Sequence, residues 1–100
     1  MAEVKHIVLL KFKPGTTPQQ VSGFFKKLAG LKGQIPGLKE FTGGSYSSPE
    51  GENKGYTDGF IMTFSDAAAR DGYLPHPVHE KVKAEIVPHV EALIAFDFES

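Results

Sequence analysis

Proton transfer is the chemistry this sequence is best equipped to perform. The segment Tyr73-Leu74-Pro75-His76-Pro77-Val78-His79 gathers a phenol and a pair of imidazoles, and no cysteine is present to support disulfides or thiol catalysis. An unperturbed imidazole titrates at about pH 6.5, so His79 can accept a proton at neutrality as a general base. The Tyr73 hydroxyl can donate a hydrogen bond to a carbonyl that is becoming an enolate, stabilising the developing oxyanion. His6 stands on an otherwise apolar strand face and would orient a group or relay a proton. Such a set suits proton abstraction beside a carbonyl, followed by aldol closure, isomerisation or lactonisation.

Each of these residues also has a plainer reading. A histidine on an apolar face is often a core residue with a satisfied hydrogen bond. A tyrosine at a helix end commonly caps a core with its hydroxyl in water. His79 in the first turn of a helix can serve a structural hydrogen bond alone. His76 and His79 have the i, i+3 spacing of metal ligands. Pro77 lies between them, though, no third ligand is evident and His89 reads as solvent-facing, so no metal is expected. Asp58 is the awkward residue, a carboxylate on an apolar strand face that needs a partner or water.

The elements that must position these groups are legible from periodicity. Val4, His6, Val8, Leu10 and Phe12 alternate with Lys5, Ile7, Leu9 and Lys11, which predicts a strand apolar on both faces at its centre. Pro14-Gly15 ends it. Thr17, Pro18 and Gln20 form a capping box, and Val21, Phe24, Phe25, Leu28 and Leu31 recur at helical spacing. Leu38 to Tyr46 reads as a second strand. Gly43 to Gly55 reads as a mobile hairpin loop, and Tyr56 to Phe64 as a third strand. Ser65 or Asp66 caps a short helix through Tyr73. A further helix runs from Pro77 to Val90, with Pro88 ending or kinking its last turn, and Leu93 to Phe98 closes the chain as a strand.

The order β-α-β-β-α-β predicts an α+β, ferredoxin-like fold over residues 1–100, one domain with helices on one face of a four-stranded antiparallel sheet. Val8, Leu10, Phe60 and Met62 would floor a cavity between sheet and helices, with Leu93 and Ala95 beside them. Phe24, Leu28, Val82 and Ile86 would wall it. An apolar pocket with a few polar groups is the usual form of a small-molecule site. The opposing expectation is that Phe24, Phe60 and Met62 fill that volume as core. Ile7, Leu9, Ile61, Ile94 and Phe96 make the other sheet face apolar too, and a second copy of the same sheet is the simplest cover.

Composition narrows the partners. The formal net charge is −1, from 11 basic and 12 acidic residues, which is no footprint for nucleic acid. Lys26, Lys27, Lys32 and Lys39 read as a solvated helix flank. Ile7 to Leu10 is too short for a signal sequence or a membrane span, so a cytoplasmic protein is expected.

Several of these motifs resemble the stress-responsive α/β-barrel (Dabb) family. They are Val4-Lys5-His6 opening the first strand, Gly55-Tyr56-Thr57 opening the third, the Tyr73-to-His79 segment, and the Ala95-Phe96-Asp97-Phe98 end. The resemblance runs from Glu3 to Glu99 and implies a dimeric α/β barrel. The family includes plant heat-stable proteins with no agreed catalytic role and many bacterial proteins of unknown function. It also includes a polyketide cyclase that performs an intramolecular aldol condensation without a metal or organic cofactor. That cyclase's chemistry is attributed mainly to a tyrosine and a histidine that match Tyr73 and His79, and His6 matches one of its cavity residues. The chain departs from it at Leu28, where the cyclase has tyrosine, and at Asp58, where it has histidine.

Two expectations follow. One is a homodimer holding a small apolar carbonyl compound, with cyclase-like acid–base chemistry and no cofactor. The other is a non-catalytic, stress-responsive structural or binding protein in which the same residues support the fold.

Overall fold

The structure, a computed structural model, describes residues 2–100. Strand β1 (Val4–Phe12) leads into helix α1 (Pro18–Gly30), followed by strands β2 (Leu38–Ser45) and β3 (Asp58–Phe64). Helices α2 (Ala67–Tyr73) and α3 (Pro77–Ile86) precede the last strand, β4 (Val90–Glu99). The sheet is antiparallel in the order β2-β3-β1-β4, with the helices on one side, a ferredoxin-like arrangement.

Local chemistry fixes the ends of these elements. Thr17 Oγ1 accepts from the Gln20 N–H at 3.1 Å while Gln20 Oε1 accepts from the Thr17 N–H at 2.9 Å, the reciprocal cap that starts α1 at Pro18. Asp66 rather than Ser65 caps α2, through the Ala69 N–H at 2.9 Å. α3 is shorter than its apolar pattern implies. It stops at Ile86, and Pro88 lies in a 3₁₀ turn, Val87–His89, from which β4 starts at once by pairing Val90 with Phe12. β3 starts at Asp58 rather than Tyr56, because a turn takes the Tyr56 backbone. Its N–H donates to the Asn53 carbonyl at 2.9 Å and its carbonyl accepts from the Asn53 side-chain amide at 2.8 Å.

Register then decides which side chains share a face. His6 pairs with Met62 and Asp97, Val8 with Phe60 and Ala95, and Leu10 with Asp58 and Leu93, all on the helix side of the sheet. Val4, Val8, Leu10, Phe60, Met62 and Phe64 are buried there against Phe24, Leu28, Leu31, Tyr73, Val82 and Ile86. Burying each large apolar side chain contributes roughly 1.5–3 kcal/mol. The opposite face has no such cover: Leu9, Ile61, Ile94, Phe96 and Phe98 are 39–61 % exposed. The shortest dimension of the molecule, 17 Å, matches one helix layer on one sheet layer. No helix among the described residues is long and apolar enough to cross a membrane.

The approach to β2 constrains α2. Gly37 adopts φ +82°, and its carbonyl accepts from the Ser65 N–H at 2.8 Å. A Cβ at this position would lie 2.5 Å from Ala69 Cβ and 2.9 Å from Ser65 Oγ. This close contact sets α2 against the sheet and so places Tyr73 at its far end. Gly37→Ala should lose about 2–3 kcal/mol through the left-handed backbone and the overlap together. Urea denaturation would show a lower midpoint at unchanged slope, whereas an unshifted midpoint would show that α2 does not depend on this contact.

Candidate active site

Between the sheet, α1 and α3 lies a cavity of about 300 Å³, lined by His6, Val8, Leu10, Leu28, Phe60 and Ile86, with Leu93 and Ala95 from β4. Tyr73 and His79 both reach it. Phe24, Met62 and Val82, expected on its walls and floor, are core residues instead. Phe24 packs between Phe12 and His89, with ring centroids 6.1 and 5.2 Å away, so His89 is half-buried rather than solvent-facing. Met62 is sealed in mid-sheet between His6 of β1 and Phe41 of β2. On α3 the cavity-facing stripe is His79, Lys83 and Ile86, and Val82 stands one residue, about 100°, away from Lys83. Leu74, Lys83, Val87 and Val90 also line the space, beyond the residues singled out from sequence.

The tight connection between α2 and α3 creates the central pair. α2 ends at Tyr73, the His76 N–H returns to the Tyr73 carbonyl at 3.1 Å, and His76 Nδ1 accepts from the Val78 N–H at 3.2 Å to cap α3. That reversal lays the His79 ring over the Tyr73 ring, with centroids 3.9 Å apart and planes 30° from parallel. Phe64 and His6 support the tyrosine from the sheet, at 5.1 and 5.8 Å. His76 is thereby a capping residue.

Hydrogen bonding sets the tautomer of His79, and burial sets the protonation of the pair. His79 Nδ1 is 3.1 Å from the Leu74 carbonyl, which can only accept, so Nδ1 carries the proton and Nε2 is the basic nitrogen. Burial, with the Lys83 ammonium adding a little, holds this imidazole below its ordinary value of 6.5, against the opposing pulls of the Leu74 carbonyl and the Glu80 carboxylate. Neutral, proton-accepting His79 is therefore the form present at neutrality. Burial pushes the Tyr73 hydroxyl up, keeping it a protonated donor. The Tyr73 hydroxyl has no hydrogen-bond partner among the described residues, and none of their fully buried side-chain polar atoms lacks one. The hydroxyl must therefore open on the cavity.

His6 belongs to an array that sequence reasoning left incomplete. Its Nδ1 lies 2.6 Å from Asp97 Oδ1, and Asp97 Oδ2 accepts from an Arg70 guanidinium N–H at 2.8 Å. Arg70 also donates to Asp71 through Nε at 2.8 Å. Burial alone would raise the Asp97 carboxyl, but the hydrogen bonds from Arg70 and then His6 outweigh it and hold the group below the usual carboxylate range. An ionised Asp97 only accepts, so His6 Nδ1 carries a proton and the ring is held in one orientation. The alternation of Leu93, Ala95 and Asp97 on the cavity side of β4 was the available signal. Arg70 left none, since it reaches Asp97 only through the docking of α2.

Asp58 lies elsewhere. It pairs with Leu10 and Ser45 near the strand ends, accepts from Thr57 Oγ1 at 2.8 Å, and borders a separate cleft of about 670 Å³ that contains neither Tyr73 nor His79. Of the two departures noted from the family's cyclase, only Leu28 reaches the cavity.

The depressed Asp97 carboxyl has a pH signature. Its contribution to stability is full above the unfolded value of about 3.9 and is lost as pH falls through the lower folded value. Wild type should exceed Asp97→Asn by about 1–2 kcal/mol at pH 7, the figure being reduced for the partial exposure of the pair. The gap should narrow below about pH 4 as Asp97 itself becomes neutral. Denaturation curves from pH 7 to 2.5 measure this, and a gap of constant size would contradict the ion pair.

Comparison with known proteins bears on the family and the fold. Residues 4–100 match the family described as the Stress responsive A/B Barrel Domain, Dabb. The chain is 32% identical over 95 residues to olivetolic acid cyclase of Cannabis sativa, covering 95% of this chain and 94% of the cyclase. It is 30% identical over 95 residues to the stress-response A/B barrel domain-containing protein HS1 of Arabidopsis thaliana, covering 95% and 87%. Among solved structures, a dimeric ferredoxin-like protein of unknown function from Jannaschia sp. superposes with a TM-score of 0.87 at 28% identity, covering 98% of this chain and 99% of that one. With residues 4–100 matched by the family and the fold shared with its relatives, the chain belongs to the stress-responsive A/B barrel (Dabb) family.

Proposed function

We propose that this protein binds a small apolar carbonyl compound in the helix–sheet cavity and acts on it by cofactor-free acid–base chemistry of the polyketide-cyclase kind. The observation that carries this reading is the Tyr73–His79 stack on an apolar cavity, with a neutral base and a protonated donor side by side. His79 Nε2 takes a proton from the carbon beside a ligand carbonyl, and the Tyr73 O–H donates to the carbonyl oxygen as it becomes an enolate. The enolate carbon then attacks a second carbonyl of the same molecule. One C–C bond forms, and the new alkoxide recovers the proton from His79. The step is redox-neutral and leaves both side chains as they began. His6, oriented by Asp97, would position the second carbonyl. Leu28 makes one wall apolar, which favours a substrate different from that of the Cannabis sativa enzyme.

The reading includes a homodimer. The exposed Leu9, Ile61, Ile94, Phe96 and Phe98 form a continuous apolar sheet face, larger in character than the scattered exposure of a soluble monomer. The Jannaschia sp. relative is described as dimeric. Two such faces packed together would bury both and give a barrel across the pair.

A panel of polyketide-like β-diketones tests the chemistry. Wild type should turn over at least one member, with losses of about 10²–10⁴-fold in His79→Ala and about 10²-fold in Tyr73→Phe. A folded wild type that neither binds nor converts any of them would leave the non-catalytic, stress-responsive role as the better reading. For the assembly, light scattering at micromolar concentration should report a dimer for wild type and a monomer for Phe96→Glu. A monomeric wild type would refute the sheet-to-sheet contact.

A further inference from the structure

We infer that the ligand carries a single negative charge, a carboxylate, on an apolar body, and that Lys83 at the cavity mouth receives it. The inference rests on the cavity being a ligand site, as proposed above, and goes on to name the ligand's class.

The lining sets the sign of the charge. Its polar members are His6, Tyr73, His79 and Lys83, and it includes no aspartate or glutamate. One cation at the edge of an apolar space whose lining holds no carboxylate favours an anion, with the exposed Glu80 carboxylate, 3.9 Å from both Lys83 Nζ and His79 Nδ1, the opposing charge just outside it. Lys83 is also free to act. Its only ion pair among the described residues is with Glu80 at 3.9 Å, between side chains 55% and 52% exposed, a contact that holds the ammonium weakly. A lone ammonium is a point charge of one unit, so it balances a carboxylate but leaves the second charge of a phosphate dianion uncompensated in an apolar space.

Position defines the mouth. Leu74, Val87 and Leu93 line the cavity yet are 46–51 % exposed, so the opening has an apolar rim beside Lys83. Lys83 follows His79 by one helical turn on the same stripe, about 6 Å along the axis. The ammonium adds to the depression of the His79 imidazole that burial causes, against a larger opposing pull from the Glu80 carboxylate. A carboxylate at Lys83 therefore leaves the carbons a few bonds away beside His79 and Tyr73, with the apolar remainder against Leu28, Phe60 and Ile86. The ligand class is a keto acid with a hydrocarbon tail.

Octanoate and 1-octanol, matched in length and differing in charge, test the assignment by amide chemical-shift titration at low salt. Octanoate should bind about fivefold more tightly than octanol, with shifts at Tyr73, His79 and Lys83. Lys83→Met keeps the stem and removes the charge. It should abolish the preference while leaving octanol affinity unchanged, and Lys83→Arg should retain the preference. Equal affinities in wild type, or a preference that survives in Lys83→Met, would overturn the role of Lys83 while the cavity reading stands. Neither probe shifting the cavity residues would overturn both.

Discussion

The structure depends on burial of one face of a four-stranded sheet beneath its helices, and on that cover being incomplete. Phe64, Met62 and Val4 are at most 1 % exposed at the β2 side and the start of β1, where α1 and α2 press closely. Toward β4 the roof changes. α3 stops at Ile86 because Pro88 cannot continue it. The space left between α3 and β4 is the cavity. A small protein gains stability by filling such space. Here the apolar surface of Leu10, Phe60 and Ile86 is instead left facing it.

The polar groups reach that space by two different routes, which explains their different properties. Tyr73 and His79 come from a helix reversal only a few residues long, so their stacking is a local consequence of the α2–α3 turn and of the His76 cap. Their protonation is set mainly by desolvation, which favours the neutral form of each. His6 and Asp97 come from opposite ends of the chain and meet because β1 and β4 are hydrogen-bonded neighbours. Arg70 then ties α2 to the same carboxylate. One array is neutral and the other ionic, and both converge on the cavity. Environments that push neighbouring groups toward different protonation states are what acid–base chemistry at neutral pH requires.

The bare side of the sheet has the opposite character. Phe96 and Phe98 alternate with Ala95 and Asp97 along β4, so the strand that supplies the carboxylate inside also supplies the most exposed aromatic residue outside. A one-residue slip in β1–β4 pairing would bury the phenylalanines in the cavity and remove Asp97 from His6. Register in this pair therefore serves the site and the outer face together.

The sequence by itself determined the order of elements, because two-residue and 3.6-residue periodicities, the Thr17–Gln20 box and the proline positions are local signals. It also determined that Tyr73 and His79 are close, since they are neighbours along the chain, and that both sheet faces are apolar. Tertiary structure alone decided which residues of the apolar set are core and which line the cavity. Phe24, Met62 and Val82 carry the same pattern as Leu28, Phe60 and Ile86, and only the final rotation of each helix and the position of each strand in the sheet separate them. Tertiary structure also decided the partners of His6, because Asp97 and Arg70 are brought to it by strand pairing and helix docking across most of the chain. Contacts between residues distant in sequence depend on how whole elements pack, and periodicity within one element does not encode that.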